Sequence, residues 1–403
     1  MLSVEQALEQ ILGRVRVLPP ERVPLLQSLG RVLAESVVST REIPPWPNSS
    51  MDGYAVRAAD TEGSRVGLVV VGRVAAGSVP DRDVRPGEAV RIFTGAPMPP
   101  GADAVIPQED VQLDGDRIVV SHGVQTGAYV RPRGEDVRPG ETLLTSGRVI
   151  GPAEVGLLAT LGRPQVRVNR RPRVAILSTG NELAELGREP GPGQIPNTNT
   201  YSLMAQTLDA GAEPVNLGVA PDHLESIEAR LDAVRFADVL VSSAGVSVGD
   251  LDLVKAALDK LGAELHLWRV SMRPGKPITF GTFQGRPVFG LPGNPVSAMV
   301  TFELFVRPAL RKMMGHSVLE RPRIMARAST PISNPGSRRG YLRVIVSPDG
   351  DRYTAQLTGD QGSGILRSMV LADGLAVLEP EAKVEKGDDI DVIILRPLTP
   401  LHL

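Results

Sequence analysis

The chain has no cysteine. Without a thiol there is no disulfide framework, thiolate zinc site, iron–sulfur cluster or cysteine nucleophile. Histidine is scarce as well. The five, at 122, 223, 266, 316 and 402, share no metal-ligand spacing, which excludes a histidine-built zinc centre. No apolar run approaches the roughly eighteen residues of a membrane span. MLSVEQALEQ lacks a basic segment followed by an apolar core, so no secretory signal is read and a cytoplasmic location is expected. The formal net charge of −2 argues against wholesale nucleic-acid binding. No G-x-x-x-x-G-K-[ST] occurs, and no G-x-G-x-x-G follows a strand, so ATPase and dinucleotide oxidoreductase readings lack support.

What is present is an ordinary globular composition, 42% hydrophobic and 22% charged, over 403 residues. That length exceeds one core and implies two to four domains. SVEQALEQILGRV (3–15) has helical spacing, and ERVPLLQSLGRVLAESVVS (21–39) reads as a second helical piece. Pro44, Pro45 and Pro47 make 41–56 a stiff, irregular loop. Short β-like runs follow (GLVVVGRV, EAVRIFTG, DAVIPQEDV, RIVVS), then a short helix at 151–162. From Pro172 strands and helices alternate, the pattern of a doubly wound, mostly parallel α/β sheet. After Arg321 the chain is β-rich again. The expected fold is therefore multidomain α/β plus β. Residues 1–40 and 140–172 form a helical linking domain, 41–139 and 321–403 two small β domains, and 173–320 the α/β domain.

Three strand ends of the α/β domain carry turns suited to an anion: STGNEL (178–183), AGVSVGD (244–250) and LPGNPVS (291–297). Such turns aim free backbone N–H groups and a helix dipole into the crevice where open parallel sheets bind ligands. They nominate Ser178, Thr179 and Gly180, then Ser247 and Gly249, then Pro292, Gly293, Asn294 and Pro295. Asp250 reads as a helix cap, whereas Glu182, Asp222 and Asp252 should face the crevice. Carboxylates beside an anion loop call for a divalent cation, and oxygen ligation suits Mg²⁺. Arg273 and Lys276, in the stiff RPGKP loop, are oxyanion candidates. Ser297 offers a hydroxyl or a cap. Asp52 in MDGY, Thr94 in FTG, Asp136 in GEDV, and Arg338, Arg343 and Ser363 near later turns are weaker signals. The residues alone reach an enzyme binding a phosphorylated ligand with Mg²⁺.

PPWPNSSMDGYAV, RIFTGAPMPPGADAVIPQEDV, RPRGEDV, RVAILSTGNEL, SSAGVSVGDLD, RPGKP and GLPGNPVSA, in this order, resemble the molybdopterin molybdotransferases, a family that includes bacterial MoeA and the gephyrin E domain. The resemblance covers nearly the whole chain. It implies an elongated molecule whose α/β domain binds molybdopterin. It implies molybdenum insertion too: adenylylated molybdopterin and molybdate enter, a divalent cation assists cleavage, and molybdenum cofactor and AMP leave. Glu182, Asp222 and Asp252 fall on the family's metal and pterin-nucleotide acids. Lys276, Ser297, Arg338 and Ser363 fall on molybdate-binding positions. Arg273 joins Lys276 in the basic loop. Asp52, Thr94 and Asp136 fall on second-domain positions that face a partner subunit, which implies a homodimer with shared sites and, as a further partner, the upstream adenylyltransferase. Two departures stand out: Ala244 for a common glycine and Asn181 for a common aspartate. The rival readings are the adenylyltransferase itself, which needs only residues 172–320, a non-catalytic scaffold, and a tungstate-handling relative.

Overall fold

The computed structural model describes residues 1–243 and 253–400 and divides the chain into two compact units, Met1–Ala34 with Val166–Leu403, and Glu35–Gln165.

In the Glu35–Gln165 unit six strands form one sheet, in the order Ala104–Pro107, Gly53–Val56, Glu88–Ile92, Val66–Val74, Arg117–Val120, Val111–Asp114. Only Val66–Val74 and Glu88–Ile92 run parallel. Side chains alternate between two apolar faces. Tyr54 and Val56 join Leu68, Ile106 and Ile118, while Ala55 joins Val74, Val90, Ile92 and Val105. The reading of 41–56 as irregular is therefore corrected. Asn48–Ser49 pairs with Val130–Arg131, and Gly53–Val56 sits inside the sheet. Within this stretch the prolines stop at Pro47, so each residue from 48 to 56 has an N–H to donate. The helix Pro152–Thr160 forms as expected, with Pro152 in its first turn and the Gly151 N–H donated to the Glu154 carboxylate at 2.9 Å.

The other unit opens with the helix Val4–Arg14, which a reciprocal Ser3–Gln6 box caps and which buries Val4, Ala7 and Ile11. The second helical piece expected at 21–39 is absent. Pro20–Pro24 is a strand paired with Gln165–Asn169, Leu25–Ser28 is a single 3₁₀ turn, and Val37–Val38 is a strand. Pro24 and Gly30 interrupt any helical ladder there, and tertiary pairing supplies the backbone partners instead.

The α/β sheet runs Glu213–Ala220, Arg173–Thr179, Val239–Ser243, Arg286–Leu291, Pro277–Phe283, Glu264–Arg269. The first four strands are parallel, Pro277–Phe283 runs antiparallel to them, and Glu264–Arg269 pairs antiparallel with Pro277–Phe283. Pro277–Phe283 escaped the sequence reading. It forms a hairpin with Arg286–Leu291 through Gln284 and Gly285, both at positive φ (51° and 74°), as a two-residue turn demands. Both faces are covered. Val174, Ile176, Val241, Phe289 and Leu291 pack with Ile11, Phe302 and Phe305, while Ala175, Leu177 and Leu240 pack with Ile227, Leu231, Val254 and Leu258. The long helix expected after PGNP is present as Pro295–Thr301 and Arg307–Met313, joined through a π-helical turn at Phe302–Val306.

The chain ends in a closed five-stranded sheet of Arg339–Asp349, Arg352–Leu357, Arg323–Ala328, Asp389–Ile394 and Gly374–Leu378, the last pairing back onto the first. Met272–Arg273 adds to it in parallel, opposite Arg339 and Gly340. The basic loop expected between the two crevice turns is thus tied to the C-terminal barrel by backbone hydrogen bonds. Among the described residues no helix is long and apolar enough to cross a membrane.

Candidate functional site

The carboxyl ends of the parallel strands bring several of the nominated residues together. Gly180 follows Arg173–Thr179 at φ +146°, and a Cβ there would lie 2.5 Å from the Glu182 carboxylate oxygens. Only glycine lets the exposed Glu182 side chain fold back over the strand end. Asp222 lies two residues beyond Glu213–Ala220, the adjacent strand, in register with Thr179 at Ala220. It exchanges hydrogen bonds with Asn181. The Asn181 N–H donates to Asp222 Oδ2, and the Asp222 N–H donates to Asn181 Oδ1, each at 3.2 Å. An aspartate at 181 would offer the same acceptor, so this departure from the family pattern leaves the contact intact.

Ser178 and Thr179 are buried, and the Ser178 hydroxyl is engaged with the Thr200 hydroxyl at 2.7 Å. Asp252, Ser247 and Gly249, with Ala244, lie outside the described residues. Among those described, no three His, Asp or Glu side chains cluster in metal-binding reach.

One residue absent from the sequence reading joins two of the loops. Asn199 Nδ2 donates to Ser243 Oγ and to the Gly293 carbonyl, both at 2.7 Å. It thereby ties the end of Val239–Ser243 to the PGNP turn. Its only sequence signal is an amide near a helix start, which is commonplace.

The PGNP turn is completed from the C-terminal barrel. Asn294 Nδ2 donates to Ser363 Oγ at 3.0 Å, and the Val296 N–H donates to the Ser363 carbonyl at 3.1 Å. Ser363 thus satisfies a first-turn donor that the helix cannot. Ser297 is buried one position further on.

Beside this contact lies Arg343, fully buried on the barrel strand Arg339–Asp349. Its Nε donates to Ser368 Oγ at 3.0 Å and its Nη2 to the Gly362 carbonyl at 3.2 Å, while its buried Nη1 has no partner. Burial pulls the guanidinium down to about 10, with Asp360 opposing that shift and Arg273 adding to it. Arg343 is therefore a buried cation with one unpartnered donor, near Arg273 and the Gly362–Ser363 turn.

Arg273 and Lys276 are exposed on the RPGKP loop. Gly275 between them has φ +103°, and a Cβ there would meet Thr301 Oγ1 at 2.5 Å, so the loop lies flat against the PGNP helix. Arg338 is occupied differently, its Nη1 donating to the Met272 carbonyl at 3.1 Å. Its guanidinium anchors the loop to the barrel.

In the Glu35–Gln165 unit, Asp52 and Thr94 meet. Asp52 Oδ1 accepts from the Thr94 N–H at 2.8 Å and from its hydroxyl at 2.7 Å. Those two donors hold the carboxyl below its ordinary range. Asp136 is exposed, its N–H bonded to the Ile43 carbonyl at 2.9 Å, and its side chain bonds neither of them.

Comparisons with known proteins cover nearly the whole chain. Residues 2–162 match the MoeA N-terminal region (domain I and II), 175–312 a probable molybdopterin binding domain, and 325–395 the MoeA C-terminal region (domain IV). The molybdopterin molybdenumtransferase of Nostoc sp. is 40% identical over 93% of this chain and 88% of its own. Molybdopterin molybdenumtransferase 1 of Mycobacterium tuberculosis is 36% identical over 98% and 99%. A crystal structure of a molybdopterin biosynthesis MoeA protein from Pyrococcus horikoshii superposes with TM-score 0.84 at 35% identity, covering 98% of this chain and all of that one.

Proposed function

This chain belongs to the molybdopterin molybdenumtransferase family, and on that premise we propose how its residues serve the reaction. The protein is an enzyme that inserts molybdenum into molybdopterin, with molybdate as the metal's source. The pterin enters in adenylylated form, and cleavage of its phosphoanhydride releases AMP. Glu182, Asp222 and Asp252 flank the anhydride, and Ser178, Thr179, Gly180, Ser247, Gly249 and the PGNP residues 292–295 form the surrounding cradle. Lys276, Ser297, Arg338 and Ser363, with Arg273 nearby, hold the molybdate. Arg343 joins them on geometry alone.

The acids Glu182 and Asp222 offer hard oxygen donors on neighbouring strand ends, a donor set that suits Mg²⁺. With Asp252 they would hold the cation, which would offset the anhydride's charge. Asp52, Thr94 and Asp136 complete the site from a second subunit of a homodimer. We also infer a cytoplasmic enzyme fed by the adenylyltransferase, with residues 1–40 and 140–172, 41–139, 173–320 and 321–403 as its four domains.

The observation that carries this reading is Arg343. A buried guanidinium with an unpartnered Nη1, beside the Gly362–Ser363 turn that caps the PGNP helix, supports an oxyanion seat at the junction of crevice and barrel. The test is a coupled assay with purified protein, adenylylated molybdopterin, Mg²⁺ and molybdate, following AMP and active cofactor. Mg²⁺-dependent AMP release coupled to cofactor formation is expected. Arg343→Met and Lys276→Ala should each raise the molybdate concentration needed. Binding of the nucleotide without AMP release under any oxyanion would make the chain a scaffold.

A further inference from the structure

At the amino ends of the same parallel strands, opposite the crevice, lies a cavity of about 260 Å³. At about 30 Å³ per water it has room for a small oxyanion and a few waters. Arg31, Arg171, Arg311 and His316 line it, and Asp209 is the single acid among its lining residues. Asp209 is already taken, accepting from Arg307 at 2.9 Å and from Arg321. Arg321 also holds Glu303, at 2.9 Å. Arg31 is held by Glu21 and by the Asn169 carbonyl, and Arg311 Nε donates to the Val318 carbonyl at 2.8 Å. The half-buried Arg171 guanidinium has no side-chain partner among the described residues.

The charges facing the cavity and packed behind it are therefore five guanidinium groups (Arg31, Arg171, Arg307, Arg311, Arg321) against three carboxylates (Glu21, Asp209, Glu303). His316 Nδ1 is buried beside them without a hydrogen-bond partner. Burial, with Arg311 and Arg307 adding to it, pushes this imidazole down to about 4, and burial with Arg307 and Arg321 lowers Arg311 as well. Two helices, Thr198–Asp209 and Arg307–Met313, end here, and their last carbonyls explain why cations gather at this spot. One of those carbonyls, of Met314, is already covered by Asn169 Nδ2 at 3.1 Å. The excess of donors over acceptors remains.

We propose that this cavity is a second oxyanion site, independent of the crevice, that takes a phosphate-type dianion on Arg171, Arg311 and a protonated His316. The ion is either free phosphate or the phosphate of a nucleotide. The experiment follows the His316 imidazole by NMR in the full-length protein, assigned with His316→Gln, as inorganic phosphate is added across a pH series. Saturable binding is expected, with the His316 pKa rising by roughly one unit or more, because a charge-assisted hydrogen bond favours the imidazolium. Arg171→Gln, which breaks no existing bond, should weaken phosphate binding roughly tenfold. It should leave molybdate affinity at the crevice unchanged. Displacement of phosphate by AMP would assign the nucleotide as source, and failure to displace it the free ion. A His316 resonance indifferent to both ligands, or phosphate affinity unaltered in Arg171→Gln, would overturn the site.

Discussion

Ser363 caps a helix whose N-cap, Asn294, lies 69 residues before it: its hydroxyl accepts from Asn294 Nδ2 at 3.0 Å and its carbonyl from the Val296 N–H at 3.1 Å. Ser363→Ala removes only the first of these. The expected loss is about 1 kcal/mol of stability, the ordinary net worth of one hydrogen bond. Asn294→Ala should cost about the same, and the double variant scarcely more than either. Urea denaturation of the four proteins checks this, and fully additive losses would show that the two side chains do not act on each other.

Gly275 is the position where the basic loop tolerates no side chain. Gly275→Ala places a Cβ against Thr301 Oγ1 at φ +103° and should destabilise by about 2 kcal/mol. The strain should also lift Lys276 from its place. We expect molybdate affinity to fall in calorimetry even at temperatures where the variant remains folded. An unchanged affinity would separate the loop's backbone from oxyanion binding.

Asp52 and Thr94 form a pair whose electrostatics can be read directly. Both donors of Thr94 lower the Asp52 pKa. Thr94→Val removes the hydroxyl and leaves the N–H, so the carboxyl should titrate closer to its ordinary range. Thr94→Ser should keep it low. Carboxyl ¹³C shifts followed against pH measure both, and identical titrations in Val and wild type would refute the hydroxyl's part.

Asp238 shows how the fold depends on acid. Burial raises its pKa, but Arg170, at 2.8 and 2.6 Å, and the Arg173 N–H at 2.8 Å outweigh burial and hold the carboxyl below its ordinary 3.8. A depressed carboxylate contributes stability that is complete above the unfolded value and lost as pH falls through the folded one. Asp238→Asn should therefore flatten the acid limb of the stability curve below about pH 4. At neutral pH it should cost about 2 kcal/mol, between the worth of exposed and buried pairs. Thermal melts across pH give both numbers.

Much of this architecture was legible in the residues. Helical spacing marked the first helix, and the alternation of strands and helices after Pro172 marked the α/β sheet. Where reading failed, tertiary pairing had overridden local pattern. Residues 21–39 have helical spacing yet form strands, and Pro277–Phe283 hid behind a proline-bounded loop. In the site, motif order brought Glu182, Asp222, Lys276 and the PGNP turn into view. Asn199 went unread because an amide near a helix start looks like any cap.

The chemistry on offer was determined by sequence alone. The absence of thiols, the strand-end glycine turns and the acids beside them are properties of residue type and spacing. What only the tertiary structure decided is which groups are free to act. Two arginines in the same six-residue stretch, Arg338 and Arg343, look alike in the chain. In the fold one Arg338 nitrogen ties the basic loop to the barrel through the Met272 carbonyl, while Arg343 is buried with its Nη1 unpartnered. Burial and partnership depend on segments far apart in sequence, and a local pattern carries no record of them.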